Sequence, residues 1–195
     1  MKTIIKPLFV LSSLAVAMQA GAAGYALNET SASSAGTAYA GRGSNVEDAS
    51  ILAANPAGIA LLDQAQVTGG MGVVVPKGKF SGTGTPGGSA DTNNFLKTSV
   101  IPFGYFTMPV DEKLSFGLGV YVPFGAETDY PDDWGGRYMA DKTVVKVINI
   151  QPTVAYKFTD QLSVGLGVIG SYAEGELTRS VFTGGGCRLF KNDWR

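Results

Sequence analysis

The chain has 195 residues, 27 of them glycine, with one cysteine, no histidine and a formal charge of −1. That length suits one ordinary domain. The missing histidine excludes His-based triads and His metal sites, and the near-neutral balance supplies no basic stripe for nucleic acid.

Met1 to Ala22 has the three parts of a secretory signal peptide in order. Lys2 and Lys6 form the charged start, Leu8 to Met18 is apolar but too short to span a bilayer comfortably, and Ala20-Gly21-Ala22 is a small-x-small cleavage site. The mature chain is expected to start at Ala23 and to be exported. Its single cysteine, Cys187, then forms no internal disulfide, so burial and backbone pairing hold the fold. No run of ~18 apolar residues follows the signal, which excludes a helical membrane protein and leaves a membrane β-barrel open.

Residues 23–62 are rich in Gly, Ala and Ser and lack sustained alternation. Short helical turns are expected over Ala32–Ala40 and Asp48–Leu52, the second capped by Ser44 or Asn45. Asn55-Pro56 is a turn-initiating pair, because Pro56 fixes its own φ and pushes Asn55 out of the α region. It marks where one kind of sequence hands over to another. The segment reads either as a surface arm or as a plug inside something larger.

Period-2 alternation then takes over. Val67 to Val75 is the first strand, and Gly78 to Asn94 is a loop of Gly, Ser, Thr and Asn. Ser99 to Met108 follows, with Ile101, Phe103, Tyr105 and Thr107 on one face. A tight turn leads to Leu114–Val122, the cleanest alternation in the chain. Pro123 to Thr143 reads as a long polar-aromatic loop, Val144 to Phe158 as a fourth strand and Leu162 to Leu177 as a fifth.

Strands of nine or more residues suit a tilted membrane crossing. Short turns alternate with long loops, and the second face of the strands is largely Gly, Ser, Thr, Asn and Gln, as a polar lumen requires. Phe103, Tyr105, Tyr121, Tyr156 and Phe158 are placed to seat at the membrane interfaces. The expected fold is all-β: a transmembrane antiparallel β-barrel, incomplete here at about five strands, with a partly helical N-terminal plug. A soluble β-sandwich is the competing reading. Five strands do not close a membrane barrel, and an open edge in lipid costs several kcal/mol per unpaired group. Residues 179–195 show no alternation and end on Arg195. The chain is therefore read as signal (1–22), plug (23–62), first barrel strands (63–178) and an atypical tail (179–195), the N-terminal part of a longer barrel through truncation or a shifted reading frame.

Gly24-Tyr25-Ala26-Leu27-Asn28-Glu29, Ala38-Tyr39-Ala40-Gly41, Asn55-Pro56-Ala57 and Trp134-Gly135-Gly136-Arg137-Tyr138 resemble the FadL family of outer-membrane long-chain fatty acid transporters, which includes relatives that admit aromatic hydrocarbons. The resemblance runs from about Ala23 to Leu177. It implies a barrel of about fourteen strands in the bacterial outer membrane, plugged by an N-terminal hatch carrying Asn55, Pro56 and Ala57. It implies passive uptake of hydrophobic molecules, caught among outer loops, passed to a pocket near the hatch N-terminus, where Tyr25 and Leu27 lie, and released sideways into the membrane through a kinked third strand. That strand is Leu114–Val122, where Gly117 and Gly119 would ease the kink. Phe124, Trp134 and Tyr138 would be apolar contacts in the following loop. The alternative is a structural or adhesive outer-membrane barrel whose loops bind external ligands.

The residues offer little enzymatic chemistry, and neither a cofactor nor a metal is expected. Phe116-Gly117-Leu118-Gly119 lies in an alternating strand with no helix after it, so it is no dinucleotide loop. Asp129, Asp132, Asp133 and Asp141 read as a solvated acidic loop sooner than a hard-cation site. Trp134 and Tyr138 serve equally as ligand contacts or interface anchors. Arg137 suits a fatty acid carboxylate bidentately, though pairing with Asp132, Asp133 or Asp141 is the plainer role.

Overall fold

The structure, a computed structural model, describes residues 26–82, 91–93, 95–131, 133–182 and 187–194. The signal segment and Tyr25 lie outside them. Two short α-helices, α1 (Ala32–Gly36) and α2 (Ile51–Ala54), and a 3₁₀ helix over Pro56–Leu61 precede the strands. These are β1 (Gln66–Val74), β2 (Lys79–Phe80), β3 (Thr92–Asn93), β4 (Ser99–Pro109), β5 (Leu114–Asp129), β6 (Lys142–Thr159), β7 (Leu162–Gly167), β8 (Gly170–Phe182) and β9 (Cys187–Trp194). No helix among the described residues is long and apolar enough to cross a membrane.

Seven strands form one antiparallel sheet in the order β1-β4-β5-β6-β8-β9, with β7 also on β6. β2 and β3 pair separately within the Gly78–Asn94 stretch expected to be loop. The fifth strand expected over Leu162–Leu177 is present as β7 and β8, which share one register on β6: Thr153 faces Gly167 and Ile150 faces Gly170. Between them Val168 N still donates to the Pro152 carbonyl at 3.0 Å.

Three expectations are corrected. β5 runs seven residues past Val122 and β6 begins at Lys142, so the loop between them is 130–141 and not Pro123–Thr143. Residues expected to form an atypical tail are strand: β9 pairs with β8 from Phe182↔Cys187 to Gly175↔Trp194. Pairing supplied by a neighbour overrides a weak local pattern here. Finally, Phe103, Tyr105 and Tyr121 are not interface anchors but face the interior and are buried, while Tyr156 and Phe158 are exposed.

The register explains the last point. Val67, Phe106, Leu118 and Pro152 are successive cross-strand partners, on an apolar face that stays exposed. The next row, Thr68, Tyr105, Gly119 and Gln151, lies on the opposite face. There Ala49, Ile51, Leu52, Ile59 and Leu62 of the N-terminal segment pack against Phe103, Tyr105, Tyr121 and Ala155. A lumen holding apolar side chains needs apolar partners, so the inner face is not uniformly polar. Leu52 is fully buried, which stabilises the contact by about 1.5–3 kcal/mol.

Candidate functional site

Three places carry the residues singled out by sequence: the seat of the Asn-Pro-Ala turn, the upper half of β5, and the 130–141 loop.

Asn55 ends α2 and caps the 3₁₀ helix. Its Oδ1 accepts from Ala57 N at 3.1 Å, and its Nδ2 donates to the Gly43 carbonyl at 2.8 Å. Pro56 sits in the first turn, where its missing N–H costs nothing. The turn rests on β7: Ser163 Oγ donates to the Ala57 carbonyl at 3.2 Å, and a Cβ on Gly165 would overlap Pro56 and Ala57 backbone. Nearby, Gln151 Nε2 donates to the Leu52 carbonyl at 3.2 Å while Tyr121 donates its hydroxyl to Gln151 Oε1 at 2.7 Å. Tyr105 donates likewise to the Thr30 carbonyl at 2.8 Å. Gly117 and Gly119 belong to this seat. A Cβ on either would press on Leu52, so they form its socket.

The expected kink at Gly117 and Gly119 is absent, since both keep regular partners on β4 and β6. The irregularity lies higher. Tyr121 faces Asn149 and Phe124 faces Val147, so Val122 and Pro123 together oppose Ile148 alone. This is a β-bulge, placed where Pro123 has no N–H to give a ladder. On the other edge of β5, pairing with β4 stops at Phe103↔Tyr121. It resumes above with Asp129 N donating to the Phe95 carbonyl at 2.8 Å and Lys97 N to the Glu127 carbonyl at 3.2 Å. Between these points the N-terminal segment comes to the wall: Ala26 bridges Phe124, and Leu27 N donates to the Pro123 carbonyl at 2.9 Å.

A cleft of about 340 Å³ opens where the two strands part, lined by Leu27, Val100, Ile101, Val122, Gly125 and Lys146 among others. Ile101 is 1% exposed and faces the interior, whereas neighbouring Val100 is 59% exposed on the apolar face. The cleft is thus lined by residues from both faces along the upper edge of β4. Leu27 lines this cleft; Phe124 lies beside it on β5, apart from Trp134.

Trp134, Arg137 and Tyr138 are brought together in the loop. Trp134 is 9% exposed and stacks on Tyr130 at 3.9 Å between ring centroids, with Phe95 stacked on Tyr130 at 4.8 Å and Phe80 edge-on to Trp134 at 5.8 Å. Arg137 donates to the Asp133 and Trp134 carbonyls at 3.2 and 3.1 Å, and its guanidinium lies 5.0 Å from the Tyr138 ring centre. Burial in this stack holds the Tyr130 hydroxyl above its ordinary pKa. No group of three or more metal-binding side chains occurs among the described residues.

Sequence reading missed Gly165, Ser163, Gln151 and the bulge. Small residues alternating through β7 and a proline within an apolar run were the available signals.

An antiparallel wall with one exposed apolar face, and a segment packed on the other, defines a transmembrane β-barrel protein, of which the chain forms an open part. The chain belongs to the family described as outer membrane protein transport protein (OMPP1/FadL/TodX), whose model matches residues 13–189. It is 33% identical over 195 residues to outer membrane protein P1 of Haemophilus influenzae, covering 92% of this chain and 42% of that protein. It is 32% identical over 179 residues to the long-chain fatty acid transport protein of Escherichia coli K12, covering 89% and 40%. Among solved structures, a Pseudomonas aeruginosa FadL homologue matches with a TM-score of 0.63 and 26% identity, over 81% of this chain and 40% of that one. The chain thus spans about two fifths of the length of these relatives.

Proposed function

We propose that the gene's full product admits hydrophobic molecules, long-chain fatty acids or related hydrocarbons, passively across the bacterial outer membrane. Residues 23–62 act as the hatch, tied to the wall through Asn55-Pro56-Ala57 on β7 and Leu52 in its glycine socket. The ligand leaves sideways, into the membrane lipid, through the cleft between β4 and β5.

The observation that carries this reading is the cleft between β4 and β5 beside the bulge. A barrel wall in lipid keeps its backbone groups paired, so a gap there needs a reason. Here the N-terminal segment supplies part of the pairing, and Val100, Ile101, Val122 and Ile148 give the cleft apolar lining. Capture is then apolar burial, at about 25 cal/mol per Å², and release is movement of Leu27 away from Pro123. The name of the Escherichia coli relative points to fatty acids as the ligand class.

The test is uptake of radiolabelled oleate by cells with the gene deleted and then restored. Deletion should reduce uptake to background and restoration recover it. Uptake unchanged by deletion contradicts the reading.

A further inference from the structure

The membrane-facing lip of the cleft carries a cation. Lys146 on β6 is the register partner of Gly125 on β5, lines the cleft and is exposed. It follows Ile150 and Ile148 along the same apolar face, where those side chains are also exposed. Among the described residues no ion pair within 4.0 Å engages its ammonium. Two carboxylates stand near it by register: Glu174 on β8 directly opposite, and Glu127 on β5, which also lines the cleft. Gly125 has no side chain to screen Lys146 from the opening.

We propose that Lys146 selects the headgroup of the departing ligand, favouring anionic amphiphiles that end in a carboxylate over neutral chains of equal length. The inference rests on the lateral-exit reading. An alkyl chain gains by lying against Val100, Val122 and Ile148. A carboxylate passing the same opening loses hydration and needs a charged donor. The flexible stem of lysine lies along apolar surface while its ammonium reaches the polar boundary. Without that charge, Glu127 and Glu174 would leave the lip acidic, repelling an anion and not a neutral molecule.

Uptake of labelled oleate and of labelled oleyl alcohol is measured in cells making the gene's full product, wild type, Lys146→Gln or Lys146→Arg, with rates expressed per surface-labelled copy. Lys146→Gln should slow oleate roughly tenfold, the scale of one charge-assisted hydrogen bond. The alcohol should enter at the wild-type rate, and Lys146→Arg should restore oleate. Normalisation to surface copies keeps poor assembly from imitating the effect. Unchanged oleate uptake in Lys146→Gln overturns the proposal, as does an equal fall for both substrates. Wild-type protein that imports neither overturns the lateral-exit reading and this inference with it.

Discussion

Gln151 of β6 donates its Nε2 hydrogen to the main-chain carbonyl of Leu52, 99 residues earlier, in a fully buried contact. The same side chain accepts the Tyr121 hydroxyl at 2.7 Å. One wall residue thus ties the N-terminal segment to two neighbouring strands. Gln151→Leu keeps the volume and leaves both partners buried without a hydrogen bond, at about 1–3 kcal/mol each. The folded protein in detergent should unfold at lower urea concentration than wild type. An unchanged midpoint would show that the contact carries no net stability.

Gly165 is predicted to be intolerant of any side chain. A Cβ there overlaps the Pro56–Ala57 backbone, which is held from above by the Asn55 cap. Gly165→Ala should unseat the turn and admit small hydrophilic antibiotics through the barrel. Wild-type antibiotic resistance in that variant would mean that the turn has room to shift.

Asn55→Ala removes the acceptor for Ala57 N and the donor to Gly43. Loss of a cap of this kind costs about 1 kcal/mol. The expected result is a milder leak than Gly165→Ala causes, with normal assembly. Equal leakage from the two variants contradicts a role confined to capping.

At the β4–β5 turn, Asp111 Oδ1 accepts from Lys113 N at 2.7 Å and Leu114 N at 2.8 Å. Those bonds hold the carboxylate below its ordinary pKa. Because the folded value is lowered, its contribution to stability is present above the unfolded pKa. It is lost as pH falls through the folded value. Carbon NMR titration of labelled carboxyls should find Asp111 below the ordinary aspartate value of about 3.9. A value at or above that would contradict the turn geometry.

Much of the wall is legible in the sequence because alternation at Leu114–Val122 and Val144–Phe158 reports directly on two different faces. The Asn-Pro pair likewise announces its turn through backbone restriction. Three features escape such reading. The inward direction of Tyr105 and Tyr121 depends on what fills the interior, and Leu52 does so from far away in sequence. Pro123 looks like a strand end, yet pairing with β6 carries β5 past it to Asp129. The seat on Gly165 needs the third dimension, since a glycine in a strand reads the same whether it faces lipid, solvent or a packed turn.

The proposed lateral exit runs through the cleft between β4 and β5, beside the bulge. Deleting Pro123 removes the extra residue, so that β5 can pair with β6 in unbroken register and draw level with β4. Oleate uptake by cells carrying the deletion variant, at wild-type surface abundance, is the most direct measurement. The account predicts uptake at the level of cells without the gene. Uptake at the wild-type rate would contradict it.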